Sequence, residues 1–185
     1  MPADYLANPL VFLTTTIIGV YVFILITRVL LQFSGADSRN PISLFIIKAT
    51  RIPVNILSSV LPTVKNINLS AIATAFILQI VIGYILFSQH GAAFNSIFFW
   101  ALAELLISFI NIITYSIFIT IILSWINPGS YNPAVSLLYK ITEPIIKPFS
   151  KIIPPMGGID LSPMAALLAL QVLKMLLIPP LHALM

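Results

Sequence analysis

Apolar residues run in four long blocks along this chain. Residues 9–27 carry no charge and stop at Arg28, and residues 67–88 carry none. Residues 94–126 hold one charge, Glu104, and residues 161–181 hold one, Lys174. A helix needs about 20 mainly apolar residues to cross a bilayer. The pattern therefore predicts four spans, over about 9–30, 67–88, 96–126 and 161–181. The third block exceeds what a bilayer requires, so either its start lies along the outer surface or the helix tilts.

Between spans one and two, and again between three and four, the pattern changes. Lys48, Arg51, Asn55 and Ser58 recur at helical spacing, with Phe45, Ala49, Ile52, Ile56 and Val60 on the opposite stripe. In the later stretch Ser136, Lys140, Glu143, Lys147 and Lys151 form the polar stripe. A basic amphipathic helix of this kind lies in the membrane interface, with its apolar face in the acyl boundary. Each lysine or arginine there contributes about 1 kcal/mol of attraction to anionic head groups. Prolines punctuate both stretches, two between 49 and 71 and five between 141 and 163. Because proline disrupts a helix interior, each segment (41–62 and 133–154) is expected to break into short helices that bend along the surface. An ordinary inter-span loop and a re-entrant element are the competing readings.

The two stretches are copies. A shift of 92 residues lays 38–79 on 130–171 without a gap. Asn40 meets Asn132, Pro41 meets Pro133, Lys48 meets Lys140, Thr50 meets Thr142, and Gln79 meets Gln171. A fixed period marks duplicated units. The expected units are 1–92 and 93–185, each span, basic loop, span. Two spans restore the starting side, so the repeats are parallel, with a pseudo-twofold axis expected along the membrane normal. In each copy the Asn-Pro pair starts a helix with proline in the tolerated first turn. Asn68 and Asp160, or Ser70 and Ser162, are placed to cap the following span.

Charge orients this arrangement. Eight of the nine basic residues lie at or between spans one and two, or three and four, and "QHGAAFNS" between spans two and three holds none. The positive-inside rule makes loops 28–66 and 127–160 cytoplasmic, with both termini periplasmic. The first block lacks the basic start of a cleaved signal peptide and is read as a retained anchor.

Composition agrees. The 185 residues are 59% hydrophobic and 8% charged, with mean hydropathy +1.08, whereas soluble domains carry about 25% charged residues. Without cysteine, the chain has no disulfide framework and no thiolate chemistry. The fold class is thus an all-α membrane protein of four transmembrane helices in two parallel repeats, each with a proline-broken amphipathic in-plane segment.

The repeated tokens "RVLLQF", "NPISLFIIKATRIP" and "ILSWINPGSYNPAVSLLYKITEPIIKPFSKIIPPMGGIDLSP" resemble the YggT family, also called YlmG, of small integral membrane proteins. The second copy carries the stronger match, through Ser124-Trp125, Asn132-Pro133, Thr142-Glu143-Pro144 and Gly158 to Pro163. The first copy has Arg51-Ile52 in place of Glu143-Pro144. The resemblance implies a multi-pass protein of the bacterial inner membrane, linked to osmotic or ionic stress tolerance. It implies no established enzymatic activity.

Candidate sites follow. Arg28, Lys48, Arg51, Lys140, Glu143, Pro144, Lys147 and Lys151 are candidates for contact with the membrane interface or a partner. Glu104 and Lys174 are the charges inside spans, where charge is costly. Each lies about 10 Å from the outer surface, so the expectation is either an ion pair between spans three and four or a Lys174 that snorkels outward alone. Gln79 and Gln171 are expected to hydrogen-bond across the repeat interface. His90 and His182 are solitary, so no metal site is expected. Neither a hydrolase elbow, a zinc-protease helix nor a carboxylate pair is present, and no cofactor is expected. The basic residues alternate with Ile and Pro rather than forming a nucleic-acid patch. Expected partners are a bilayer with anionic head groups and either a second copy or another membrane protein. The chain is read as no enzyme but a membrane-organising or adaptor protein. A small ion channel or transporter subunit is the rival.

Overall fold

The computed structural model describes residues 7–88, 91–126, 132–154 and 160–184. Among these are six helices: α1 (Ala7–Phe33), α2 (Pro41–Ser58), α3 (Leu69–Phe87), α4 (Phe94–Ile126), α5 (Pro133–Ile152) and α6 (Ser162–His182). Four of them, α1, α3, α4 and α6, are long and apolar enough to cross a membrane. His90, and Gly158 and Ile159 of the second-copy motif, lie outside the described residues.

Caps set the helix starts. The Asn40 side chain accepts from Ile42 N (2.9 Å) and Asn132 from Ala134 N (2.9 Å), with Pro41 and Pro133 in the first turns. Asn68 Oδ1 accepts from Ala71 N at 2.9 Å and Asp160 Oδ1 from Ser162 N at 2.8 Å. Each satisfies a backbone donor that a helix start leaves free. Within the spans Thr15, Thr27, Thr74 and Thr114 turn their hydroxyls back to carbonyls four residues earlier, at 2.7–2.8 Å. This lets threonine sit in an apolar medium without an unpaired hydroxyl.

Each repeat packs in the same way: α1 on α3 and α4 on α6, with α2 on α1 and α3, and α5 on α4 and α6. The repeats meet mainly through α3 against α4. A twofold axis would pack α6 on α1 to the same extent, and it does not. The spans stand instead as an open row α1–α3–α4–α6. The short connection from Phe87 to Phe94 holds α3 beside α4, and no such tether joins α6 to α1. At the α3–α4 contact Gly83 is required: a Cβ there would stand 2.8 Å from Trp100 Cε3.

The main core gathers Leu25, Ile26 and Val29 of α1, Ala71 and Ala75 of α3, Leu105 of α4, and Ile46, Val54, Leu137 and Ile141 of the two loop helices. A smaller cluster joins Ile117 of α4 to Ala166 and Leu170 of α6. Lipid tails are as apolar as these side chains, so close packing rather than escape from water holds the spans together.

Two further details differ from the sequence expectations. Neither α2 nor α5 is broken: Pro53 lies inside the first, Pro144 and Pro148 inside the second. And the turn before α3 contains a minimal hairpin, β1 (Thr63–Val64) paired antiparallel with β2 (Ile67–Asn68). Lys65 at its tip takes a left-handed φ of 53°.

Candidate membrane-interface site

Helix α2 has three faces. Ser43, Ile46, Thr50 and Val54 are buried against the spans. Lys48, Arg51, Asn55 and Ser58 form an exposed polar stripe. Phe45, Ile52 and Ile56 form a second exposed stripe, entirely apolar and continued past the helix end by Val60, with Ile52 78% exposed. At 100° per residue the three stripes are separated by about 120° each. The apolar stripe read from the sequence is therefore not the face that packs on the protein. It is left for something other than water.

Two contacts from α1 fasten this helix. Arg28, half-buried, donates from Nη1 to Thr50 Oγ1 at 2.7 Å and to the Ile47 carbonyl at 3.5 Å. It is thus an internal clamp rather than the free interfacial cation that the sequence suggested. Tyr21 donates its hydroxyl to the Ala49 carbonyl at 2.9 Å. That carbonyl is the acceptor that Pro53, lacking an N–H, cannot serve four residues on. A local break is repaired by a tertiary donor, which explains why the helix runs through its proline.

Helix α5 carries the second set. Lys140, Glu143, Lys147 and Lys151 are exposed and Pro144 is half-buried. Lys140 Nζ lies 3.2 Å from Glu143 Oε2, an exposed pair one turn apart, worth a few tenths of a kcal/mol. Lys151 lies in the last turn, where a cation meets the negative end of the helix dipole. The two loop helices touch at their starts: Asn40 Nδ2 donates to the Pro133 carbonyl at 2.9 Å.

Each repeat has a half-open cavity where its loop helix meets its spans. The first, about 330 Å³, is lined by Arg28, Gln32, Ile47 and Asn68 among others. The second, about 810 Å³, is lined by the residues 92 positions later, Thr120, Ser124, Tyr139 and Asp160, together with Thr142, Glu143 and Lys147. Ser43 Oγ lines the first cavity, buried with no partner. No sequence signal marks either cavity, because the residues that line each one come from elements far apart in the chain.

Within the spans the expected Glu104–Lys174 ion pair does not form. Lys174 Nζ donates to Asn111 Oδ1 at 3.0 Å, and among the described residues the ion pair within 4 Å is Lys140–Glu143. Asn111 follows Glu104 by seven residues on the same face of α4, so α6 sits two turns lower than equal depths implied. Glu104 is half-buried on α4. Gln79 is buried and Gln171 is exposed, so the expected amide bridge between repeats is not made. Among the described residues no group of three or more metal-ligating side chains occurs.

Comparison with known proteins follows the same repeat. The sequence pattern of the CCB3/YggT family matches residues 7–89 and again 99–181, two segments offset by 92 residues at both ends. An uncharacterised protein of Pseudomonas aeruginosa is 34% identical over 181 residues, covering 94% of this chain and 90% of its own. The YggT protein of Escherichia coli K12 is 31% identical over 169 residues, covering 91% and 88%. The chloroplastic YlmG homolog protein 2 of Arabidopsis thaliana is 34% identical over 88 residues, covering 45% of this chain and 35% of its own. No solved structure matches.

Proposed function

The chain belongs to the CCB3/YggT family, and we propose that it is a non-catalytic organising or adaptor protein of the bacterial inner membrane, serving envelope or osmotic stress tolerance. Both repeats present an amphipathic helix at the cytoplasmic surface, and these helices are the working parts. The observation that carries this reading is the three-faced α2: one face on the spans, one apolar face exposed, one basic face exposed. An exposed apolar stripe suits acyl chains, and the basic stripe beside it suits anionic head groups or an acidic partner. Lys48, Arg51, Lys140, Lys147 and Lys151 are the contact residues, with Glu143 and Pro144 particular to the second repeat.

A specific observation favours a second reading. Lys174 and Asn111 place a charged contact inside the spans, and intramembrane polar groups mark conduits as well as packing. A small channel or transporter subunit would use it. Cation flux into proteoliposomes holding the purified chain separates the two. The organising reading predicts no flux above empty liposomes under an osmotic or voltage gradient. Flux that Lys174→Met or Glu104→Gln alters would make the conduit primary.

A further inference from the structure

The internal repeat supplies its own control for the larger cavity. In the first repeat the guanidinium of Arg28 occupies this place and is held by Thr50 Oγ1 at 2.7 Å. In the second repeat the residue at Arg28's position is Thr120, too short to reach the Thr142 hydroxyl as Arg28 reaches Thr50, and a cavity of about 810 Å³ lined by both threonines opens there. The threonine that received the guanidinium is retained as Thr142, 1% exposed. Its hydroxyl donates to Leu138 O at 2.9 Å and keeps lone-pair capacity to accept.

The charged lining also differs: the first cavity has Arg28, and the second has Glu143, Asp160 and Lys147. Repeat one supplies its own cation, and repeat two supplies an acceptor hydroxyl, two carboxylates and space. One wall is Trp125, 78% exposed, and Met164, 58% exposed, at the ends of α4 and α6 that meet α5. An apolar wall of this kind faces the acyl region, and an indole face also attracts a cation.

We propose that the second-repeat cavity binds the head group of an aminophospholipid of the ethanolamine class, its primary ammonium standing where Arg28 stands in repeat one. The ammonium donates to Thr142 and to the lining carboxylates, using Asp160 Oδ2, which Ser162 N leaves free, and Glu143, which turns from its exposed pair with Lys140. Lys147 meets the phosphate, and the acyl chains leave past Trp125 and Met164. The inference rests on α5 lying at the membrane interface, as proposed above.

The test is lipid titration of the full-length chain in detergent, read by Trp125 fluorescence in a Trp100→Phe background. Short-chain phosphatidylethanolamine is expected to bind saturably. The choline analogue, whose quaternary ammonium has no N–H to donate, should bind at least tenfold more weakly, and phosphatidylglycerol more weakly still. Thr120→Arg refills the cavity as in repeat one and should weaken ethanolamine-lipid binding at least tenfold. Glu143→Gln with Asp160→Asn, which keeps the cap acceptor on Ser162 N, should do the same and decides the matter if Thr120→Arg does not fold. Equal binding of the ethanolamine and choline lipids, or full binding by the folded variants, overturns the proposal. O-phosphoethanolamine binding as tightly as the lipid would overturn the lipid as the source of the ammonium. Binding in detergent does not depend on topology, so its failure sinks the cavity claim alone, whereas labelling from the wrong side of the membrane would sink the interfacial placement.

Discussion

The Tyr21 hydroxyl donates to the Ala49 carbonyl across 2.9 Å, and Ala49 is the residue whose helical acceptor Pro53 leaves unserved. A donor 28 residues upstream completes a helix that its own sequence interrupts. Tyr21→Phe should therefore destabilise the α1–α2 contact by about 1 kcal/mol, the net worth of a hydrogen bond. In a Pro53→Ala background, where residue 53 supplies the N–H, the same change should cost less than half as much. Thermal melts of the four proteins in detergent measure the coupling.

Gly83 lies under Trp100 at the α3–α4 contact, with Trp100 Cε3 2.8 Å from where a Cβ would stand. Gly83→Ala should cost about 1–3 kcal/mol through overpacking. Trp100→Leu should recover part of the loss. A melt of Gly83→Ala equal to the parent would show that the two helices are not so close.

Lys174 pairs with Asn111 rather than Glu104. A double-mutant cycle of Lys174→Met with Asn111→Leu should show coupling of about 0.6 kcal/mol, typical of hydrogen bonds between spans. The cycle with Glu104→Gln should give a smaller value. The reverse order would restore the pair that equal depths suggested.

Lys65 holds a left-handed φ of 53° at the tip of the hairpin before α3. Glycine adopts that conformation without strain. Lys65→Gly should leave stability unchanged or raise it by up to about 1 kcal/mol, whereas Lys65→Val should lower it by more than that. Thermal melts of both variants decide.

Much of this fold is legible in sequence because its signals are local. Apolar run length gave the four spans, the Asn-Pro pairs marked the starts of α2 and α5, and Asn68 was one of the caps offered for α3. The shift of 92 residues showed the duplication before any coordinates. What escaped depends on partners distant in sequence. Nothing near Pro53 reveals that Tyr21 will serve Ala49, so a continuous helix read as a broken one. The depth of Lys174 rested on counting residues from assumed surfaces, and the error of two turns exchanged Glu104 for Asn111. A hydrophobic stripe identifies an apolar face but not whether protein or lipid covers it, so the buried face of α2, marked by Thr50 and Ser43, went unseen. The cavity of repeat two is likewise lined from elements far apart in the chain, so no local signal marks it.

The claim that α2 and α5 lie on the cytoplasmic interface is tested most directly by cysteine accessibility, since the chain has no cysteine of its own. Single cysteines would replace Lys48 and Lys147 on the basic stripes and Ile52 on the exposed apolar stripe of α2. A membrane-impermeant maleimide would then be applied to intact spheroplasts and to inverted vesicles. The interfacial placement predicts labelling of Lys48→Cys and Lys147→Cys in inverted vesicles alone, with Ile52→Cys slow from either side because acyl chains cover it. Labelling of Lys48→Cys in intact spheroplasts, or of Ile52→Cys as fast as Lys48→Cys, would contradict it.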